Sequence, residues 1–492
     1  MYTHANLFRD FSKTTGQFTD DEITLTPFFN IGKDVPEVLN QYRKLPHQPN
    51  TYNFVKYYFR FIYRLIISLC TPVLHHLYNL KSFQVHKSQI PNPVNKIFVS
   101  HHTGQSIKFN EPDPYFGALI SQNGIRGSIN LVLLINHSKQ LLKTSERSKV
   151  FNNTLYLIMP KTTDSRSALH VYTKQIKFFF QILFKALKKV EMSSSERLLL
   201  FELAIQQLSQ SAFSQQYLFL NTSRALFESE ARELYLTFEG HSFETYLARN
   251  LKKLSKKLIV NINQFAPVVP SQYSFYKNLE LVPEHVTINV TGRSMVKQIL
   301  KLTNVSSQRI KIVGSSKYKK TIKLMKTAKS RNRTVLFAPE GFLDSFAEFV
   351  NIAEYCASNL KDLNFIIRAH PASEKYKTKI TQRYFSKNTN LILSSSSLEA
   401  DLRKSDICVY RSSAVGVEGM QYGLIPIHFS RNLDGSIDPI RLEDFKHPRV
   451  DNNNNLITVL DEYRKMSIKD FWKMRSQVIN ISSKYFTEIS IR

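Results

Sequence analysis

The feature that constrains this chain most is the alternation of short apolar runs with helix-like stretches in its second half. Such runs, buried on both faces and separated by amphipathic segments, are typical of a parallel sheet covered by helices. The pattern predicts a doubly wound α/β domain. The runs are 334–338, 364–368, 390–393, 406–410 and 424–429.

The first half shows a similar alternation, so we predict an α/β fold with two Rossmann-like domains and a cleft between them. The apolar runs there are 97–100, 129–135, 153–159, 234–238 and 257–261. Residues 171–232 are helix-like throughout and predict a helical insertion. The predicted division is a basic N-terminal extension with an amphipathic helix (1–94), an N-terminal Rossmann-like domain (95–314) and a C-terminal Rossmann-like domain (315–492). Residues 452–455 are predicted to form a loop before a C-terminal helix.

The charge balance predicts an anionic partner. Lysine and arginine number 67 of 492 residues against 39 aspartate and glutamate, a formal net charge of +28. Such an excess suits a nucleotide, a phosphate polymer or an acidic membrane surface. The three cysteines form no CxxC pair, which argues against a disulfide framework or a structural zinc site and favours the reducing cytoplasm.

One segment, 54–70, has the composition of a membrane-interface helix. Lys56, Arg60 and Arg64 recur every four residues among aromatic and aliphatic side chains, which places them on one helical face. The uninterrupted apolar run after Arg64 is far shorter than the roughly 20 residues needed to cross a bilayer. The segment is therefore either an interfacial helix or a buried helix whose arginines reach the surface.

Polar motifs follow the apolar runs of the second half, where ligands bind in doubly wound sheets. We predict a binding site at this edge. Its candidate residues are Glu340, Gly341, Arg368, His370, Pro371, Ser412 and Ser413.

The serine pair suits phosphate. Ser412 and Ser413 stand at the start of a predicted helix, where hydroxyls and free backbone amides converge. Gly416 would let the backbone approach a ligand closely, and Glu418 could accept from a ribose hydroxyl. His370 could donate to a phosphate oxygen. The alternative is that the serines only cap the helix.

In the first half, Phe238-Glu239-Gly240-His241 follows a strand and begins a helix. Glu239 or His241 would then project into the cleft, where a carboxylate or an imidazole could accept the proton of a sugar hydroxyl. The alternative is that Glu239 is a helix-capping acid.

The order strand-Pro-Glu-Gly, Ile-Ile-Arg-Ala-His-Pro and Tyr-Arg-Ser-Ser-x-x-Gly-x-Glu resembles the C-terminal half of GT-B glycosyltransferases of bacterial surface polysaccharide biosynthesis. It is especially similar to the CMP-sugar-dependent sialyltransferases and Kdo transferases. In that group the His-Pro motif and the serine pair bind the CMP part of the donor, which implies this role for His370, Pro371, Ser412 and Ser413. The resemblance spans roughly 95–430. In the first half it includes Tyr115-Phe-Gly-Ala-Leu and the Glu239-Gly240 segment.

The chain departs from the family at two positions. Phe238 stands where the family has a second acidic residue, and Phe265 stands where relatives have the histidine of a Gln-His pair. We therefore assign the Gln264-Phe265 loop no catalytic role.

The resemblance implies a metal-independent glycosyltransferase without a cofactor other than its CMP-sugar donor. No Asp-x-Asp motif stands at a strand end, and no GxxxxGK[ST], GxGxxG or GxSxG motif is present, which disfavours metal-dependent transferases, nucleotide triphosphatases, dehydrogenases and hydrolases of those kinds. The expected donor sugar is acidic, such as Kdo or a nonulosonic acid. The expected acceptor is a glycan or lipid-linked glycan at the cytoplasmic face of the membrane.

Three alternatives stay open. A CDP-glycerol-type polyol-phosphate transferase also has a His-Pro motif and a serine pair, but usually has aspartate before the tyrosine-serine-serine sequence, unlike Tyr410-Arg411-Ser412-Ser413. A basic nucleic-acid-binding protein fits the charge, although the lysines are scattered and form no known module, so we expect no nucleic-acid partner. A catalytically inactive transferase-like scaffold is the third.

Overall fold

A computed structural model describes most residues between 94 and 489. It leaves out 103–112, 121–128, 137–147, 160–164, 189–199, most of 201–209, 271, 319–332, 342, 372, 374–387, 431–436 and 441–444. Before residue 94 it describes helical residues 59, 62, 63, 65–67 and 70. Lys56, Arg60 and Arg64 of the predicted interfacial helix therefore lie outside the described residues.

The first domain is built on an eight-stranded sheet in the order β3-β4-β2-β1-β5-β6-β7-β8. All neighbouring strands run parallel except β3 and β4. The central strands are mostly buried on both faces, as a helix-covered parallel sheet requires. The strands are β1 (Val94–His102), β2 (Ile129–Asn136), β3 (Ser148–Phe151), β4 (Thr154–Ile158), β5 (Glu233–Thr237), β6 (Ile259–Asn263), β7 (Thr287–Val290) and β8 (Ile310–Ile312).

Two long helices stand in the predicted helical insertion, α1 (Ser165–Lys188) and α2 (Gln210–Ser229). They pack against each other through Val171, Phe213 and Tyr217. The remaining helices of this domain cover the sheet. They are α3 (Ser242–Leu254), α4 (Tyr273–Glu280) and α5 (Arg293–Leu302).

The second domain has a six-stranded parallel sheet in the order β11-β10-β9-β12-β13-β14. The strands are β9 (Thr334–Ala338), β10 (Asn364–Ile367), β11 (Leu391–Leu393), β12 (Ile407–Tyr410), β13 (Ile425–Phe429) and β14 (Arg449–Val450). The helices are α6 (Leu343–Asn359), α7 (Leu398–Lys404), α8 (Val415–Gln421), α9 (Asn453–Lys465) and α10 (Ile468–Ser482). Helix α6 buries Phe346, Phe349 and Val350 against one face of the sheet.

The chain crosses between the domains twice, along neighbouring paths. Residues 313–318 lead out of β8, and Ser316 Oγ donates to the carbonyl of Pro114 at 3.1 Å. After α10, residues 484–489 return to the first domain, where Thr487 N donates to Thr291 O at 3.0 Å. Ser315 N donates to Thr487 O, also at 3.0 Å, so the two crossings are bonded to each other.

The predicted fold class, α/β with two Rossmann-like domains, is confirmed by the two sheets and their strand order. The strands lie within 94–312 and 334–450, and the domain boundaries at 94 and 314 stay predictions. Among the described residues, no helix combines the length and apolar character needed to cross a bilayer.

The structure corrects the predicted elements in two ways. Four strands were not predicted, namely β3, β7, β8 and β14, and β6 begins at Ile259 rather than at residue 257. The predicted loop 452–455 is instead the start of α9, since the Asn452 side chain caps the helix by accepting from Asn455 N at 2.9 Å.

Candidate functional site

The candidate residues of each domain lie where the strand order of its sheet reverses. In the second sheet the chain passes from β9 to β10 and β11, then returns to the other side of β9 as β12. In the first sheet the reversal lies between β1 and β5. Such switch points open a crevice at the carboxyl ends of the strands, where ligands bind in open α/β sheets. Glu340 and Ser412 flank one switch point, and His101 and Glu239 flank the other.

Glu340 holds the serine motif in place. Its Oε1 accepts from Ser412 N at 3.2 Å and from Ser412 Oγ at 3.0 Å, and its Oε2 accepts from Ser345 Oγ. The guanidinium of Arg411, only 1% exposed, lies 3.1 Å from Glu340 Oε1 and 3.0 Å from Glu348. Glu340 is thus a positioning residue that fixes Ser412 through a buried ion pair. Gly341 follows it in the turn before α6.

Neither serine caps the following helix through its side chain in the expected way. Helix α8 begins at Val415, its N-cap is Ala414, and no side chain caps it. Ser413 Oγ accepts from Val415 N at 3.3 Å. The predicted alternative of an ordinary serine cap is therefore wrong for Ser412, whose hydroxyl donates to Glu340 and keeps lone pairs for another donor.

Gly416 serves packing within the domain. A β-carbon added there would lie 2.6 Å from the ring of Tyr410, closer than real carbon contacts allow. The Tyr410 ring is fully buried, and its hydroxyl donates to Asp438 Oδ1 at 2.8 Å. The predicted close approach at Gly416 is thus made by Tyr410, the residue that precedes the serine motif by two positions.

His370 lies at the end of β10, and a short turn that begins with Pro371 fixes it. Ser373 N and Ser373 Oγ both donate to the His370 carbonyl, at 2.8 and 3.0 Å. Surrounding protein atoms desolvate the imidazole and lower its pKa, which the charge of Lys317 lowers further and that of Glu340 raises. The carboxylate that acts on this imidazole is the same one that accepts from Ser412.

Two predicted site residues point elsewhere or are already paired. The Arg368 guanidinium turns toward β11, where its Nη1 lies 2.7 Å from Asp401 Oδ2 and 2.7 Å from Ser396 O. It is thus not brought together with Ser412. Glu418 forms an ion pair with Lys317, 2.5 Å from its Nζ.

Lys317 is a site residue that sequence reasoning missed. It lies on the segment that crosses between the domains, and the Gln421 side chain donates to its carbonyl at 2.9 Å. Its charge lowers the pKa of Glu239 in the first domain and that of His370 in the second. The charge of Lys317 therefore acts on a candidate group of each domain, while its Nζ contacts Glu418.

Glu239 follows β5 and lies beside two histidines. The distance from its Oε2 to His241 Nε2 is 3.4 Å. Burial alone would raise the pKa of Glu239, but the hydrogen bond and charge of His241, with the charges of His101 and Lys317, lower it overall. A carboxylate with a lowered pKa stays ionised at neutral pH, as a proton acceptor must be.

The carboxylate that caps the start of α3 belongs to Glu244, the third residue of the helix, so the predicted capping role for Glu239 is wrong. The buried Glu244 Oε2 accepts from the backbone amides of Glu239 (2.9 Å), Gly240 (3.0 Å) and His241 (2.8 Å). Helix α3 begins at Ser242 with His241 as its N-cap. Glu244 thereby fixes the turn, and the Glu239 carboxylate contacts His241 instead.

His101 and Tyr115 complete the first-domain cluster. His101 Nε2 lies 2.9 Å from Thr237 Oγ1, and the His101 ring packs edge-on against Tyr115 at 5.2 Å between centroids. Burial and the charges of Glu239 and Asp113 raise the pKa of Tyr115 to about 12. The run His101-His102 at the end of the first predicted strand was a usable signal for this position.

No three His, Cys, Asp or Glu side chains are grouped to hold a metal ion in the part of the chain that the structure describes. The described candidate cluster thus consists of one carboxylate with two histidines in the first domain, and of a histidine, a lysine and a serine hydroxyl in the second. Such a set can bind a phosphate and accept one proton.

No family model matches this chain, and no curated protein matches it. Among solved structures it is similar to the glycosyltransferase of kitacinnamycin, at 12% identity and a TM-score of 0.46 over 80% of this chain and 96% of that one.

It is also similar to the UDP-GlcNAc 2-epimerase from Neisseria meningitidis, at 10% identity and a TM-score of 0.44 over 79% of this chain and 98% of that one. A third similar structure is an α,α-trehalose-phosphate synthase from Burkholderia vietnamiensis, at 10% identity and a TM-score of 0.40 over 79% and 95%. These similarities concern the backbone fold alone. The fold class is assigned here from the strand order of the two sheets.

Proposed function

We propose that this protein is a glycosyltransferase that moves an acidic sugar, such as Kdo or a nonulosonic acid, from a CMP donor to a bacterial surface glycan. One observation carries the proposal. The charge of Lys317 lowers the pKa of Glu239 in the first domain and that of His370 in the second, which supports a cleft shared by a proton acceptor and a phosphate-binding group. Two-substrate transfer needs this arrangement, because acceptor and donor must meet.

In the proposed reaction, the Glu239 carboxylate takes the proton of an acceptor hydroxyl. The hydroxyl oxygen forms a bond to the anomeric carbon of the donor sugar, and the bond from that carbon to the phosphate oxygen of CMP breaks. The electron pair leaves with CMP, whose phosphate is stabilised by His370, Lys317 and the Ser412 hydroxyl, whose single proton turns from Glu340 to the phosphate. His241 and His101 keep Glu239 ionised between turnovers.

The donor class follows from the resemblance of the His370-Pro371 and Ser412-Ser413 motifs to the CMP-sugar group. In this proposal Arg368 and Glu418 act through their partners, Asp401 and Lys317, rather than on the donor directly. A leaving group with a single phosphate can be stabilised by the protein cations alone, so the proposed reaction is metal-independent. The acceptor is a glycan or lipid-linked glycan, and the protein acts at the cytoplasmic face of an anionic membrane.

A thermal-shift series with CMP, UDP, GDP and CDP tests the donor class. A ligand that binds only the folded state at 100 times its Kd stabilises it by about 2.7 kcal/mol. We expect CMP to raise Tm most, and His370→Ala to abolish that increase while the variant stays folded. His285→Ala, at an exposed histidine of the first domain, is the matched control and should behave as wild type.

Stabilisation by UDP or GDP without CMP, or a full CMP shift in His370→Ala, would refute the donor assignment. An assay of CMP release with a panel of CMP-sugars and CDP-polyols, with and without EDTA, separates the sugar transferase from a polyol-phosphate transferase and tests metal independence.

A further inference from the structure

Helix α1 of the first domain has four apolar side chains exposed to solvent along one face. We call Leu169, Phe180, Phe184 and Leu187 the α1 stripe; their side chains are 65%, 46%, 55% and 59% exposed. At about 100° per residue, these four positions fall within about 60° of one another around the helix. The stripe extends over roughly 27 Å at about 1.5 Å per residue. Singly exposed apolar residues are ordinary, whereas an aligned set marks an interaction surface.

The same helix has a strongly basic composition. Its 24 residues include Arg166, Lys174, Lys177, Lys185 and Lys188 and no aspartate or glutamate. Arg166, Lys174 and Lys177 are exposed, and helical geometry places Arg166 and Lys177 directly beside the stripe. The opposite face is anchored in the domain, where Val171, Phe178 and Ile182 are buried. Helix α1 thus has three faces, buried, apolar and basic.

We propose that the α1 stripe docks on an anionic lipid membrane, with the phenylalanines inserted at the headgroup level and the cations against lipid phosphates. This inference deepens the proposed function, from which it takes only the anionic membrane as partner. Fixed helices with an apolar face beside a lysine-rich face bind such interfaces.

Charge argues against two other occupants. A second copy of this chain would bring the same five cations of α1 against the first set, and like charges repel. A nucleic acid would attract the cations but would leave Leu169, Phe180, Phe184 and Leu187 without an apolar partner. A lipid surface offers acyl chains to the apolar face of α1 and phosphates to its basic face at the same time.

Vesicle co-sedimentation of the full chain tests the proposal. We expect binding to vesicles of phosphatidylcholine with phosphatidylglycerol and little binding to phosphatidylcholine alone. The double variant Phe180→Gln/Phe184→Gln should bind about thirtyfold less, because two inserted rings are lost. The control is Phe227→Gln, since Phe227 on α2 is 88% exposed but lies outside the stripe; it should bind within about twofold of wild type. Arg166→Gln/Lys177→Gln should weaken the preference for anionic vesicles.

A fluorescence measurement detects lipid contact directly. The chain has one tryptophan, Trp472 in α10. In a Trp472→Phe background, Phe184→Trp should be quenched by vesicles with brominated acyl chains, and Phe227→Trp should not. Circular dichroism melts confirm that each variant is folded.

Equal vesicle binding by the double variant and wild type, or absence of quenching at position 184, would overturn the proposal in favour of anchoring elsewhere, such as through residues 54–70. Loss of random-DNA binding or of self-association in the double variant, with lipid binding unchanged, would also overturn it. The CMP thermal shift is measured without vesicles, so failure of lipid docking and failure of the transferase proposal are distinguishable.

Discussion

Glu340 Oε1 accepts a hydrogen bond from Ser412 Oγ at 3.0 Å, which joins the ends of two neighbouring parallel strands. The same oxygen lies 3.1 Å from Nε of the buried Arg411. The serine hydroxyl is therefore oriented before any ligand arrives, and its position depends on an ion pair within the domain. Its single proton points at the Glu340 carboxylate, so Ser412 donates to a phosphate only after that proton turns away from Glu340.

Substitution of the serine separates ligand binding from folding. Ser412→Ala should lower CMP affinity about tenfold, because one hydrogen bond to a charged group is lost. The free energy of unfolding should change by less than about 1 kcal/mol, since Glu340 keeps its contacts with Arg411 and the Ser412 amide. Isothermal titration calorimetry and urea unfolding measure the two quantities. Ser476→Ala, on the exposed side of α10, should leave both unchanged, and a CMP affinity of wild-type strength in Ser412→Ala would contradict the role.

The identity of the proton acceptor can be read from pH profiles. Glu239→Gln should slow transfer at least about 100-fold with CMP affinity unaltered, because the residue belongs to the acceptor side. The pKa of Glu239 is lower than that of an ordinary glutamate. The carboxylate therefore stays ionised, and the transfer rate is kept, until the pH falls below the ordinary glutamate pKa of about 4.3. A histidine base would lose rate from about pH 6.5.

The matched control for this experiment is Glu284→Gln, at an exposed acid of the same domain. A rate that falls near pH 6.5, and that is abolished in His241→Ala but kept in Glu239→Gln, would transfer the role to His241.

Two glycines of α8 should respond oppositely to alanine. Gly416→Ala would force a β-carbon to 2.6 Å from the Tyr410 ring, and we expect a loss of about 2–3 kcal/mol in the free energy of unfolding. At Gly419 the nearest atom to the added carbon would be 3.4 Å away, an ordinary contact. Gly419→Ala should therefore be neutral or stabilise by up to about 1 kcal/mol. Chemical denaturation compares them, and equal effects would disprove the packing explanation.

The buried His428 makes the stability of the second domain pH-dependent. Burial, with the charges of His447 and Arg449, lowers its pKa to about 4, and Asp438 opposes the shift. The unfolded chain therefore binds more protons between about pH 6.5 and 4. The contribution of neutral His428 to the free energy of unfolding is complete above pH 6.5. It is lost as the pH falls, by about 2 kcal/mol between pH 7.5 and 5.

Unfolding free energies at these two pH values measure the effect. His428→Leu should reduce the difference by that amount, whereas His170→Ala, at an exposed histidine on α1, should not. An unchanged pH dependence in His428→Leu would show that another group is responsible.

Strands β9 to β13 of the second domain could be predicted because each is a largely apolar run followed by polar residues. In strands β7 and β8 the polar residues Asn289 and Lys311 interrupt the apolar positions, so no apolar run stands out. The start of α9 was mistaken for a loop because four consecutive asparagines are typical of turns, yet Asn452 caps the helix.

The candidate site was predictable only in part. The order of the sheet brings His370, Glu340 and Ser412 to one edge, which alternation of strands and helices predicts. The direction in which a side chain turns at that edge depends on its neighbours, so Arg368 pairs with Asp401 instead. Lys317 was missed because a lysine in a lysine-rich connection has no local signal, and its importance arises from the two domains that it faces.

The paired crossings of residues 313–318 and 484–489 have a mechanical consequence. A single connection would leave the two domains free to rotate about it. Two connections that are hydrogen-bonded to each other restrict that rotation. A rotation of one domain about the line through the two connections keeps the hydrogen bond from Ser315 N to Thr487 O. A twist that separates the two connections would break it. Relative motion of the two domains is therefore restricted to rotations that keep Ser315 and Thr487 together.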